Sequence, residues 1–183
     1  MQKLNLKFPV LCALLLLAVA SRLIPHPANF APMGAMALFG AAYFNRKYLA
    51  LLLPLLATWL SDLFINNVVY AQYYPNFTWF YEGFYWQYGT YVLIGLVGFF
   101  IFKKVNPKRI LTGGLVSTLL FFIITNFGCW IGSTTYPQNF VGLMECYAMG
   151  IPFLKGTLLS DLFYCGVLFG SFEFIKIKVP ALA

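Results

Sequence analysis

Two aspartates stand inside stretches otherwise made of apolar residues. Asp62 lies in Thr58-Trp59-Leu60-Ser61-Asp62-Leu63-Phe64 and Asp161 in Thr157-Leu158-Leu159-Ser160-Asp161-Leu162-Phe163, and the two heptads agree at six of seven positions. A carboxylate at membrane depth is costly to hold and defaults to a functional hypothesis, either as charge offered to a ligand or as an acid–base group. The plainer role is packing, with each acid hydrogen-bonded to Ser, Thr or Asn or paired with Arg22 or Lys155. Asn126, beside Thr125, poses the same choice, because a buried amide can bridge helices or bind a ligand. His26, the single histidine, sits between Pro25 and Pro27 and reads as a turn residue, since no nucleophile or acid stands beside it in sequence. Four cysteines, Cys12, Cys129, Cys146 and Cys165, form no C-x-x-C and no zinc spacing. They read as buried apolar thiols, with a Cys129–Cys146 bridge the one pairing that the outer face would allow. Asn76-Phe77-Thr78 fits a glycosylation acceptor pattern of low specificity.

The elements that must carry these groups are apolar throughout. Of 183 residues 61% are hydrophobic and 9% charged, at a mean hydropathy of +0.79. That composition excludes a soluble globular domain, a disordered chain and a disulfide scaffold. Six apolar segments follow, over 8–24, 29–44, 48–65, 88–102, 110–132 and 151–175, against a need of about 17–25 helical residues per span. The second and fourth are short. Charge decides for six: with the N-terminus inside, 10 of the 12 basic residues fall on the cytoplasmic side, in clusters at Lys3 and Lys7, Arg46 and Lys47, Lys103 to Arg109, and Lys176 and Lys178. The net charge of +7 therefore reports topology rather than a nucleic-acid partner. Lys3 and Lys7 ahead of an apolar run, with Ala18-Val19-Ala20, also resemble a secretory signal, but more membrane segments follow, and the run is read as the first span.

The expected outer segments, 25–32, 66–87 and 133–150, contain neither Lys nor Arg. Between Tyr70 and Tyr91 there are twelve aromatic residues in twenty-two positions, Trp79, Tyr85 and Trp86 among them. An interfacial belt accounts for a few rings per helix end. The density predicts in addition a loop packed over the outer mouth, its rings mostly buried as a cap on a pocket. In the outer half Arg22 and Lys155 face Asp62, Glu82, Glu145 and Asp161, a surplus of acid that suits a cationic or flat aromatic ligand. Glu173 is expected to pair with Lys176. Small residues at Ala31 and Ala35 and at Ala37 and Ala41 give a face of close helix approach, either within the chain or toward a partner membrane protein. The repeated heptad and an echo of Pro27-Ala28-Asn29-Phe30 in Pro137-Gln138-Asn139-Phe140 leave room for a weak duplication, roughly 1–87 and 88–183, within one integral membrane domain.

The run from Ile24-Pro25-His26-Pro27-Ala28-Asn29-Phe30-Ala31-Pro32-Met33-Gly34-Ala35, the Ser61-Asp62-Leu63 step, Thr125-Asn126-Phe127-Gly128 and 142–163 together resemble an uncharacterised bacterial family of small integral membrane proteins, over nearly the whole chain. That family in turn resembles the substrate-binding S components of energy-coupling-factor vitamin transporters. The resemblance implies an all-α bundle of six transmembrane helices in a bacterial inner membrane, both termini cytoplasmic, with a substrate pocket near the outer face. S components carry their alanine-rich docking motif in the first helix, whereas here the small pairs fall in the second. The expected function is a vitamin-like solute-binding transport component, with no ATP site, cofactor or metal of its own. A structural or assembly subunit of a larger complex is the alternative, and an enzyme using Asp62, Asp161 and His26 is disfavoured by the single histidine. The expected binding set is His26, Asn29, Asp62, Trp79, Tyr85, Trp86, Asn126, Glu145 and Asp161.

Overall fold

The computed structural model describes residues 6–182. Lys3 lies outside them. The described chain forms six helices with short helical turns between: α1 Lys7–Ala20, α2 Met33–Tyr43, α3 Lys47–Phe64, α4 Phe84–Ile101, α5 Pro107–Ile131 and α6 Phe140–Lys178. A 3-10 turn, Ser21–Leu23, follows α1, and a single π-helical turn, Ile65–Val69, extends α3. Four of the helices are long and apolar enough to cross a membrane: Lys47–Val69, Phe84–Ile101, Pro107–Ile131 and Phe140–Lys178.

The polarity of α5 is inside out relative to a helix of a soluble bundle. Along α5, Leu111, Leu115, Leu119 and Ile123 recur every fourth residue and are all exposed, while Gly113, Gly114, Ser117 and Thr118 are buried on the opposite face. Apolar side chains outward with small and polar ones inward is the arrangement a lipid solvent selects, because lipid gives apolar contacts no reason to turn inside. Packing then depends on close fit. At the end where the basic clusters lie, Phe39 is edge-on to Phe169 at 5.5 Å and Phe172 at 5.9 Å, and Tyr43 lies 4.4 Å from Phe172. The Tyr43 hydroxyl donates to Glu173 at 2.7 Å, and Glu173 pairs with Lys176 at 3.0 Å as its spacing predicts.

Two of the boundaries that depart from the sequence reading bear on the site. The 29–44 segment is helical only from Met33, so α2 is 11 residues long, about 16 Å against a hydrocarbon core of roughly 30 Å. Pro25, Pro27 and Pro32 remove amide donors and push their predecessors toward extended backbone, and Asn29 takes a left-handed φ of 59°. The helix begins where the prolines stop. Eight of its 11 residues are buried, so it is a half-length helix enclosed by the others. Ala35 and Ala37 are 0% and 3% exposed, and Ala41 sits against Gly98 of α4. Of the small residues Ala31, Ala35, Ala37 and Ala41, the middle two are thus buried inside the bundle and Ala41 packs within the chain, while Ala31 is half-buried.

The second departure is α6, which begins at Phe140 instead of 151 and runs 39 residues. The Asn139 side chain accepts from the Gly142 amide at 3.0 Å and starts the helix early. Asp161 therefore lies near the middle of the helix, farther from its start than the 151–175 segment implies. Replacing this cap, Asn139→Ala, is expected to cost about 0.5–2 kcal/mol, read as a lower thermal midpoint with unchanged helical content at 20 °C by circular dichroism, at the ~20 °C where the folded population dominates.

Candidate binding cavity

The truncation of α2 creates a space. Above its N-terminus, a cavity of about 470 Å³ is enclosed by residues 22–34, the π-turn at Ile65 and Val69, Gln87 and Tyr91 of α4, Ser117 and Phe121 of α5, and Thr157 and Asp161 of α6. Its floor lies where Ser117, near the middle of α5, and Asp161, near the middle of α6, converge on Gly34: a β-carbon there would collide with Ser117 Oγ and Asp161 Oδ1. Glycine at 34 is therefore a condition for bringing the carboxylate against the start of α2, whose partial positive charge favours an anion. The Thr118 hydroxyl lies 2.9 Å from Asp161 Oδ2 and 3.0 Å from the Gly114 carbonyl. Ser117 is 1% exposed, and its hydroxyl lies beside the Asp161 carboxyl without a well-formed hydrogen bond among the described residues. Ser160 instead donates to the Ala31 carbonyl at 2.6 Å, fixing the extended segment to α6. Gly156 allows the same segment to approach, since a β-carbon there would strike the Ala28 carbonyl.

The second copy of the heptad has a different partner. Arg22, just past α1, donates from Nη2 to Asp62 Oδ1 at 2.6 Å, and its Nη1 bonds Ser61 Oγ and the Thr58 carbonyl, the latter at 3.3 Å. Tyr88 adds a hydrogen bond to Asp62 Oδ2 at 2.6 Å. Asp62 is thus saturated and stands behind the cavity wall. Among the described residues the ion pairs are Arg22–Asp62 and Glu173–Lys176, and Asp161 is in neither.

Of the residues expected in the site, His26, Asn29 and Asp161 line the cavity. Asn29 also lines a second cavity of about 360 Å³ between α5 and α6, which Asn126 and Cys146 help to form. The Asn126 amide donates back to the Phe122 carbonyl at 2.8 Å and lies against Gly150. Glu145 is exposed. Trp79 and Tyr85 are each 60% exposed, and Trp86 packs on Gly128 beside Phe127 at 5.9 Å. All four cysteines are free thiols.

The expected cap of buried rings is corrected in the same way. Of the twelve aromatics from Tyr70 to Tyr91, six are exposed and only Tyr91 is buried. The loop is held by Asn67, whose side chain accepts from the Thr78 amide at 2.6 Å and donates to the Thr78 carbonyl at 2.9 Å, and Trp79 and Phe80 beyond that clamp lie against Trp59 of α3. Exposed Tyr and Trp at a helix end fit the headgroup level. Sequence reading missed Ser117, Gln87 and Gly34; the pairing of Ser117 with a mid-helix position on a glycine-lined face was the available signal.

The bundle and its cavity define a small all-helical protein with helices of membrane-spanning length. Over residues 2–182 the chain matches DUF6580, a family of unknown function, and it belongs to that family. No curated protein and no solved structure matches it.

Proposed function

We propose that the protein is a multi-pass component of a bacterial inner membrane that binds a small, vitamin-like solute in the outer-half cavity and serves as the substrate-binding part of a transport system. All six helices would cross, with both termini cytoplasmic and α2 joined to the extended 24–32 segment as one broken span. Discontinuous helices with their inner ends at mid-depth are a recurrent way of building such sites. The basic clusters support the orientation: Phe8 contacts Phe44 at 6.0 Å, Lys47 lies 5.6 Å over Phe99, and Arg109 donates to the Ile101 carbonyl at 3.1 Å, so these ends share one face.

The observation that carries the reading is a buried, mid-depth polar floor within a cavity large enough for a small organic molecule. The reading assigns binding and no covalent chemistry. His26 is exposed, with Nδ1 3.0 Å from the Pro27 carbonyl. The resemblance to S components supports the transport role.

Native mass spectrometry of gently purified protein tests it. The wild type should carry a bound small molecule, and Ser117→Phe, which fills the floor, should lose it. A wild-type spectrum with no small molecule and a stoichiometric co-purifying chain would favour the structural-subunit reading.

A further inference from the structure

The two heptads allow an internal comparison. In α3 the Thr-x-x-Ser-Asp pattern is met by one guanidinium, which contacts all three of its polar residues: the Thr58 carbonyl, Ser61 Oγ and Asp62 Oδ1. In α6 the same pattern presents Thr157 and Asp161 to the cavity, and no basic side chain of the described residues reaches Asp161. We propose that the floor of the cavity around Asp161 binds a positively charged nitrogen, so that the molecule taken by this site is an organic cation bearing an ammonium or guanidinium group. The proposal rests on the solute-binding reading above and narrows its ligand.

Four observations converge on it. Arg22 lines the cavity as well, but its charge is matched by Asp62, leaving Asp161 as the acid of the wall with no basic partner among the described residues. The α2 N-terminus supplies only partial compensation, roughly 0.3–2 kcal/mol, against several kcal/mol for desolvating a carboxylate. Ser117 Oγ, buried and without a well-formed hydrogen bond among the described residues, offers an acceptor beside it. Water can satisfy a hydroxyl, but it brings no counter-charge. The walls argue against a bare metal ion as the occupant: Tyr91 and Phe121 present rings, 5.8 Å apart and stacked at 11°, which suit the body of an organic cation.

The test combines a tethered cation with a free one. Thr157 is one helical turn before Asp161, so Thr157→Lys places an ammonium at i,i+4 to the carboxylate, and Thr157→Met is its neutral counterpart of similar length. In the full chain in detergent, T157K should unfold several degrees above T157M, and the difference should vanish when Asp161→Asn is added to both. T157K no more stable than T157M with Asp161 present overturns the proposal. Benzylammonium chloride, sodium benzoate, benzyl alcohol and sodium chloride are then titrated into wild type and D161N. Benzylammonium alone should raise the wild-type midpoint saturably, with affinity falling on the order of 10-fold or more in D161N. Equal stabilisation by sodium chloride or benzoate, or by benzylammonium in both proteins, overturns it. If T157K does not fold, the titration decides: no wild-type rise with benzylammonium counts against the proposal. A stabilising tether without binding of any free probe retains the cation preference and removes the solute-binding reading alone.

Discussion

Arg22→Gln should lower the stability of the protein by about 3–5 kcal/mol, the largest loss expected from a single polar substitution in this chain. The guanidinium is held by Asp62 at 2.6 Å and by the Thr58 carbonyl at 3.3 Å, with both partners' side chains largely buried. Removing it leaves Asp62 as an unmatched buried carboxylate, with Tyr88 its remaining hydrogen-bond donor at 2.6 Å. The double variant Arg22→Gln/Asp62→Asn removes both charges and should regain most of the loss, because the penalty comes from the unpaired charge rather than from the missing contact. Thermal unfolding of the single and double variants in one detergent checks this. A double variant as unstable as the single one would show that Arg22 acts chiefly through packing.

Gly34→Val should be nearly as damaging, at about 1–3 kcal/mol from overpacking, and it should also displace the cavity floor. Its β-carbon would occupy space held by Ser117 Oγ and Asp161 Oδ1, and Asp161 is restrained by Thr118 at 2.9 Å. Gly166 is the control, since a β-carbon there meets nothing within 4 Å. Gly166→Ala should be neutral or stabilising by up to ~1 kcal/mol through helix propensity. Destabilisation of similar size at both positions would mean that the effect at 34 is general to helical glycines in this bundle.

Much of the arrangement was legible in the residues, and its limits have physical causes. The inside-out polarity and the basic clusters follow from composition and spacing, and the pairing of Glu173 with Lys176 from a separation of one helical turn. The break before α2 was signalled by Pro25, Pro27 and Pro32, yet an apolar run across 29–44 masks it, because hydropathy does not register a missing amide. The aromatic run from Tyr70 to Tyr91 misled for a related reason: ring density carries no information on which way rings face. Trp79 and Tyr85 are exposed, as is Glu145 on α6. Ser117 escaped notice because a single hydroxyl in an apolar helix gains meaning only when a half-length helix ends opposite it.

The central claim is that a polar floor at the middle of the bundle opens to the outer face. In a background with Cys12, Cys129, Cys146 and Cys165 replaced, single cysteines at Gln87, Leu119 and Lys104 would be exposed in intact cells to a membrane-impermeant thiosulfonate reagent. The account predicts modification of Q87C, on the half-buried wall above that floor, from outside, no modification of L119C, which faces the exposed apolar side of α5, and modification of K104C only after the cells are opened. A Q87C protein that is inert from outside and reacts only from the cytoplasmic side would contradict it.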